Sequence, residues 1–241
     1  MGDGTEGYGY TCRGGRQENE DSYGIFSRGE NFCAAVADGL GGHGDGGRAS
    51  KIAVRHLLNC GAKSDFPVKE DIQAHFTAAN EEIINSRTDR NRMKTTAVWL
   101  GIWGGQAIWA HIGDSRLYHF VDETLCDCTL DHSVSQMAVA LGEIRREEIP
   151  GHCDRSRLLR VLGDEELSPE IHNPVDLKPG RHAFLLCTDG FWESITEDEM
   201  LLDLYKSKSP REWIYAMSFR VLKRQGAGHD NHTAVGIFAE R

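Results

Sequence analysis

The chain has no surplus of basic residues. Its 27 Lys and Arg are outnumbered by 37 Asp and Glu, giving a formal net charge of −10 over 241 residues. A general nucleic-acid binder needs the opposite balance, because phosphates are neutralised by Lys and Arg gathered on one face. Long hydrophobic runs are also missing. No window approaches the roughly 18 apolar residues of a membrane-spanning helix, so no membrane partner is expected. The opening MGDGTEGYGY is acidic and glycine-rich, unlike a secretory signal. Met1-Gly2 resembles the start of a myristoylation site, but Glu6 stands where such a site prefers Ser or Thr. Regular cysteine spacing is absent too. The seven cysteines are odd in number, and several lie inside apolar runs such as FCAAV and FLLCTDG, the usage of reduced thiols in a cytoplasmic protein. Cys126 and Cys128 have no second Cys/His pair at zinc-finger spacing. There is no internal repeat, low-complexity tract or linker, so a single domain over 1–241 is expected, with an insertion near 133–162.

What is present is the composition of a soluble globular protein, 39% apolar and 27% charged. A chain of this length buries about three quarters of its unfolded surface. NFCAAVAD (31–38) is a short apolar run bounded by turn residues, as in a buried strand. Ala49, Ile52, Ala53, His56, Leu57 and Cys60 recur at helical spacing, and Ile72, Phe76, Ala79, Ile83 and Ile84 do so again, predicting a second helix near 69–87. From Thr95 to Leu130, β-branched and aromatic runs separated by short turns predict an antiparallel meander. Trp99, Trp103 and Trp109 in these runs read as core residues. The charged segment 133–162 reads as helical and carries Arg145, Arg146, Arg155, Arg157 and Arg160. A strand at 181–189, helices near 196–205 and 210–224, and a last strand, HTAVGIFAE, complete the chain.

The aspartates carry the chemistry. Asp38 follows CAAVA, Asp114 follows AIWAHIG and Asp189 follows AFLLCT, each beside a glycine or small turn residue; Glu20-Asp21 and Asp230 fall in further turn segments. Any one of these is an ordinary turn residue. Their recurrence at strand ends suggests carboxylates converging on one sheet edge, where they would repel one another unless cations intervene. Oxygen ligands without His or Cys spacing select hard ions, Mg²⁺ or Mn²⁺. Asp38 suits a bridging role, since its two oxygens can reach two metals.

Eight segments, GGRQENED (14–21), VADGLGGHGDGGRAS (36–50), TTA (95–97), IGDSRLY (112–118), TLDHS (129–133), RVLG (160–163), LCTDGFWE (186–193) and DNHTAV (230–235), together resemble the metal-dependent protein serine/threonine phosphatases of the PPM, or protein phosphatase 2C, type, in its compact bacterial form. The resemblance implies an α+β fold of four layers, αββα, in which a central antiparallel β-sandwich is flanked by helix pairs. It further implies a dinuclear Mn²⁺ or Mg²⁺ centre with a weaker third site, and makes 133–162 a mobile flap beside it. Carried over by position, Asp38 bridges both metals and Gly39 offers its carbonyl to the second. Asp189 and Asp230 complete the first site, Glu20 and Asp21 serve the second, and Asp114 with Asp189 matches the third. Arg16 stands where the family grips the substrate phosphate, a task that suits the forked guanidinium.

Two positions depart from the family pattern. Leu40 occupies the place where many eukaryotic relatives have a histidine proposed as general acid, and His43 is not that position, so the general acid stays open. His232 follows Asn231 where an aliphatic residue is usual. The implied activity is direct hydrolysis of phosphoserine and phosphothreonine in proteins by metal-activated water. Cys187 has no Cys-x5-Arg loop around it, which argues against a cysteine nucleophile. The implied partners are phosphoproteins made by a cognate serine/threonine kinase, and the chain is expected to act as a monomer. The competing expectation, a non-catalytic relative that binds phosphoproteins or a kinase, predicts lost ligands.

Overall fold

The structure, a computed structural model, describes residues 4–61, 65–89 and 91–241. Met1-Gly2 and the His43 side chain lie outside what is described. Two antiparallel sheets pack face to face. One has the order β1 (Gly4–Cys12), β11 (His232–Glu240), β10 (Arg181–Cys187), β6 (Arg116–Val121), β7 (Thr124–Cys128). The other runs β2 (Asp21–Arg28), β3 (Asn31–Asp38), β4 (Ala97–Trp103), β5 (Gln106–Ile112), β8 (Glu170–Ile171), with β9 (Val175–Asp176) also on β5.

Three apolar cores make the layers. Between the sheets lie Val36, Leu100, Trp109, Leu117, Phe184 and Ile237. Outside the β2–β8 sheet, α1 (Gly46–Cys60) and α2 (Lys69–Asn85) bury Ile52, Leu57, Phe76 and Ile83 against Ala35, Trp99 and Trp103. Outside the other sheet, α5 (Glu197–Lys206) and α6 (Pro210–Arg224) bury Met200, Leu204, Trp213 and Met217 against Phe120 and Leu185. This is the four-layer αββα arrangement. Strand β3 is buried from Phe32 to Ala37 because it is covered by helices on one face and by the second sheet on the other.

The expected meander is instead two hairpins on different sheets. β4 and β5 join through Gly104-Gly105, both at positive φ, as a tight hairpin turn demands. β6 and β7 join through Asp122-Glu123, also at positive φ. β5 and β6 do not pair; the chain crosses between sheets at Gly113, whose φ of +98° suits glycine, and β6 pairs with β10. The crossing leaves Asp114 at the seam between the sheets.

Other elements also differ from expectation. β1 and β2 are strands that the glycine-rich start does not advertise. At Gly9 a Cβ would overlap the Tyr23 ring, so glycine is what lets β1 close over β2. The 133–162 segment is not a continuous helix: α3 (Val134–Ala140) and a 3-10 turn (Arg146–Gly151) are separated by Gly142 at positive φ, and Pro150 lies within the turn. Strand β10 stops at Cys187, and α4 (Asp189–Trp192) starts at Asp189 itself.

Candidate metal centre

Asp38 ends β3 and Asp21 starts β2, and the antiparallel register pairs the two directly. Carboxylates placed opposite one another in a ladder repel, so the sheet itself brings negative charge together. Asp189 reaches the same edge from the end of β10, and its charge raises the pKa of Asp38. Asp114 and Asp230 add their charges: Asp189 raises the pKa of Asp114, and Asp230 raises those of Asp189 and Asp21.

Burial and mutual repulsion act in one direction. Desolvation, followed by the charges of Asp21, Asp189 and Asp114, holds Asp38 well above the ordinary carboxylate range. Burial first and Asp189 second do the same to Asp114. Burial and Asp230 raise Asp189, against the Gly190 amide that donates to its Oδ1 at 2.6 Å. Asp21 is pushed up to about 7, chiefly by burial, although hydroxyls of Thr233 and Thr188 oppose the shift. Thr188 Oγ1 donates to Asp21 Oδ2 at 3.0 Å, whereas Asp21 Oδ1 is buried with no hydrogen-bond partner among the described residues.

Two arginines near the group are already held in ion pairs. Arg116 grips Asp131 with two bonds of 2.8 and 2.7 Å. Arg16, on the surface, pairs with Asp230 at 2.7 Å. An all-oxygen cluster of crowded acids with an orphaned carboxylate oxygen fits hard divalent cations. Of the expected ligands, the structure gathers Asp21, Asp38, Asp114, Asp189 and Asp230 into one electrostatic group. The Glu20 carboxylate sits against Gly41 instead, close enough that a Cβ there would overlap its Oε2.

Several residues hold this group in place that the sequence reading left without roles. Asp38 O accepts from Thr96 N at 2.9 Å and Thr95 Oγ1 at 2.7 Å, and Asp38 N donates to Thr96 Oγ1 at 3.0 Å. Gly39 N and Ser50 Oγ both donate to Glu20 O, at 3.2 and 2.5 Å. Asn231 fixes the loop that carries Arg16: its Nδ2 donates to the carbonyls of Arg13 and Glu18, and its Oδ1 accepts from Glu20 N at 2.8 Å. Glu193, raised to about 7 by burial and by Asp189, takes Arg155 of the 133–162 segment at 3.0 Å. The only sequence signal for these residues was that Ser50, Thr95, Thr96, Glu193 and Asn231 lie inside motif segments.

The profile of the family described as Protein phosphatase 2C matches residues 8–230. The chain belongs to the protein phosphatase 2C family. The serine/threonine phosphatase stp of Listeria welshimeri is 35% identical over 202 residues, covering 80% of this chain and 79% of that protein. The crystal structure of the Mycobacterium tuberculosis serine/threonine phosphatase PstP/Ppp superposes with a TM-score of 0.86 at 28% identity, covering 98% of this chain and 99% of that one. The catalytic domain of PstP, in complex with two manganese ions, gives a TM-score of 0.84 at 26% identity over 98% of this chain and 99% of that one. The eight motif segments are thus those of a protein phosphatase 2C member, and the chain is by family a phosphoprotein phosphatase.

Proposed function

We propose that this chain hydrolyses phosphoserine and phosphothreonine in proteins directly, at a centre of two Mn²⁺ or Mg²⁺ ions with a weaker third. The observation that carries this reading is Asp38, wedged among Asp21, Asp189 and Asp114, whose charges together with burial hold it well above the ordinary carboxylate range. Asp38 would hold both ions, with the Gly39 carbonyl, Glu20 and Asp21 on one side and Asp189 and Asp230 on the other; Asp114 with Asp189 would hold the third. Bound there, the ions would neutralise the carboxylates and would supply an acidified water as nucleophile. Thr95 and Thr96 fix the Asp38 backbone so that its carboxylate stays aimed at the cluster. Arg16 lies at the rim, where its fork can exchange Asp230 for two phosphate oxygens.

The chain reads as one catalytic domain, with 133–162 as its flap; the Arg155–Glu193 pair supports contact between that segment and the site. Substrates would be products of a serine/threonine kinase, met in the cytoplasm by a monomer. The buried thiols Cys33 and Cys187, which form no disulfide, support a reducing compartment. No helix among the described residues is long and apolar enough to cross a membrane. The test is hydrolysis of a phosphothreonine peptide with Mn²⁺ and with chelator. Activity should appear only with the ion, and full turnover by Asp38→Ala protein would sink the dinuclear reading.

A further inference from the structure

One residue beneath the 133–162 segment is bonded in a way its sequence position does not suggest. His132 N donates to Gly113 O at 2.9 Å, and Gly113 N donates back to His132 Nδ1 at 3.2 Å, a reciprocal pair that closes a ring between two loops. Gly113 is the crossing residue immediately before Asp114, held at φ +98°, and a Cβ there would press on Thr96. The same His132 offers its carbonyl to Leu159 N at 2.7 Å. Residues 133 and 158 form a bridge, and Val134 N donates to Arg157 O at 2.9 Å, so the outgoing and returning legs of the segment meet directly above it.

The bonds fix the ring's chemistry. Nδ1 accepts the Gly113 amide, so the proton of the neutral imidazole is on Nε2. That Nε2 is buried with no hydrogen-bond partner among the described residues; Glu170 Oε2 is 3.6 Å away. His111, whose Nε2 lies 2.8 Å from Leu130 O and so donates to it, stacks on the ring at 4.6 Å between centroids and 11° between planes. A cation at His111, His132 and Glu170 would need a lone pair on His132 Nε2, which this tautomer denies it. The trio is therefore a support. Burial, then the neighbouring His111 and Arg160, holds His132 down to about 4, so the ring stays neutral through the working range.

We propose that His132 is a positioning residue for phosphate hydrolysis: through its Nδ1 and backbone it locks both legs of the flap to the Gly113–Asp114 corner, so that flap position and the Asp114 carboxylate move as one unit. This rests on the catalytic reading above. Neighbouring bonds stiffen the same seam, since Leu117 and Thr129 exchange two hydrogen bonds of 3.0 Å and Arg116 holds Asp131. His132 adds to this seam a bond to the returning leg.

Replacing the ring separates its acceptor from its bulk. Asn puts an oxygen where Nδ1 lies, whereas Gln extends to the Nε2 position. His132→Ala and His132→Gln should therefore lower kcat on a phosphothreonine peptide by roughly ten- to a hundredfold, the scale of a misplaced active-site group, with KM little changed. His132→Asn should recover most of kcat. Equal losses in Asn and Ala, or no loss in any variant, would overturn the proposal. If the variants fold poorly, nitrogen-15 spectra of the wild-type ring decide. The Nε2–H tautomer is expected from pH 6 to 8, and an Nδ1–H ring overturns the lock. Hydrogen exchange in wild-type and His132→Asn protein should show Gly113, Val134 and Leu159 amides opening together; independent opening counts against it. Absence of wild-type phosphatase activity would refute the catalytic reading and leave the tautomer and exchange results standing.

Discussion

Arg16 Nη2 sits 2.7 Å from Asp230 Oδ2, and both side chains are about half exposed, at 56% and 41%. An ion pair that open to water contributes at most about 1 kcal/mol to stability, so it resembles a parking place for the guanidinium more than a structural tie. Arg16→Ala should leave the melting temperature almost unchanged. It should raise KM for a phosphothreonine peptide by roughly ten- to a hundredfold, the value of one or two charge-assisted bonds to phosphate. Arg16→Lys should recover only part, because an ammonium cannot fork across two oxygens. Unchanged kinetics in Arg16→Ala protein would remove this residue from the site.

Thr96 has its hydroxyl between Asp38 N, at 3.0 Å, and Ser115 Oγ, at 2.7 Å, and so ties the two sheets at the cluster. Thr96→Val keeps the shape and deletes that oxygen. Outer partners of ligating groups are each worth roughly ten- to a hundredfold in metal affinity or activity. Activity titrated against Mn²⁺ should therefore need a higher concentration for half-maximal rate. A titration that overlays the wild-type curve would show that Asp38 is held by its strand alone.

The crowded carboxylates also set a pH dependence in metal-free protein. Asp21 rises from 3.8 to about 7, and Asp38, Asp114 and Asp189 rise with it. Between about pH 4 and 7 the folded chain keeps protons that the unfolded chain has released, so stability falls as pH rises through that window. In chelator, the melting temperature should be lower at pH 7.5 than at pH 5.5. Mn²⁺ should stabilise most at the higher pH, where the acids are ready to bind it. Equal stabilisation by Mn²⁺ at both values would mean that the acids do not share a metal.

The legible part of this molecule was its apolar periodicity and its acids. Ala49 to Cys60 predicted α1 because a single face is buried, and Asp38, Asp114 and Asp189 stood out because each ends a strand beside a small residue. β1 was hidden because glycines replace the side chains that would mark a strand; they are needed where Phe32 and Tyr23 press against it. The exchange of sheets at Gly113 was hidden because a hairpin and a crossing both begin with a glycine turn, and only the partner strand β10, some seventy residues later, distinguishes them. Asn231 and His132 serve through bonds to distant backbone, which leaves no local pattern to read.

Gly39 and Gly46 make a close mutual backbone contact at the site. A Cβ on Gly39 would overlap the Gly46 carbonyl and come within 2.7 Å of Glu20 O, and a Cβ on Gly46 would lie 2.5 Å from Gly39 C. These neighbours are backbone atoms at the start of α1 and the end of β3, so neither can swing aside as a side chain would. Gly39→Ala must push the helix start away from Asp38 or rotate the Gly39 backbone. Overpacking of this kind costs about 1–3 kcal/mol, or several degrees in melting temperature. A shift of roughly 1 Å at the reacting groups would cost on the order of a hundredfold in kcat. Because the contact is mutual, Gly46→Ala should reproduce both losses. Gly42 lies between them in sequence with nothing within 4 Å of its would-be Cβ, so Gly42→Ala should keep wild-type stability and rate. Thermal melts and Mn²⁺-dependent turnover of the three variants test this together. A Gly39→Ala protein that behaves like Gly42→Ala would mean that the close approach of α1 does not set the geometry of Asp38.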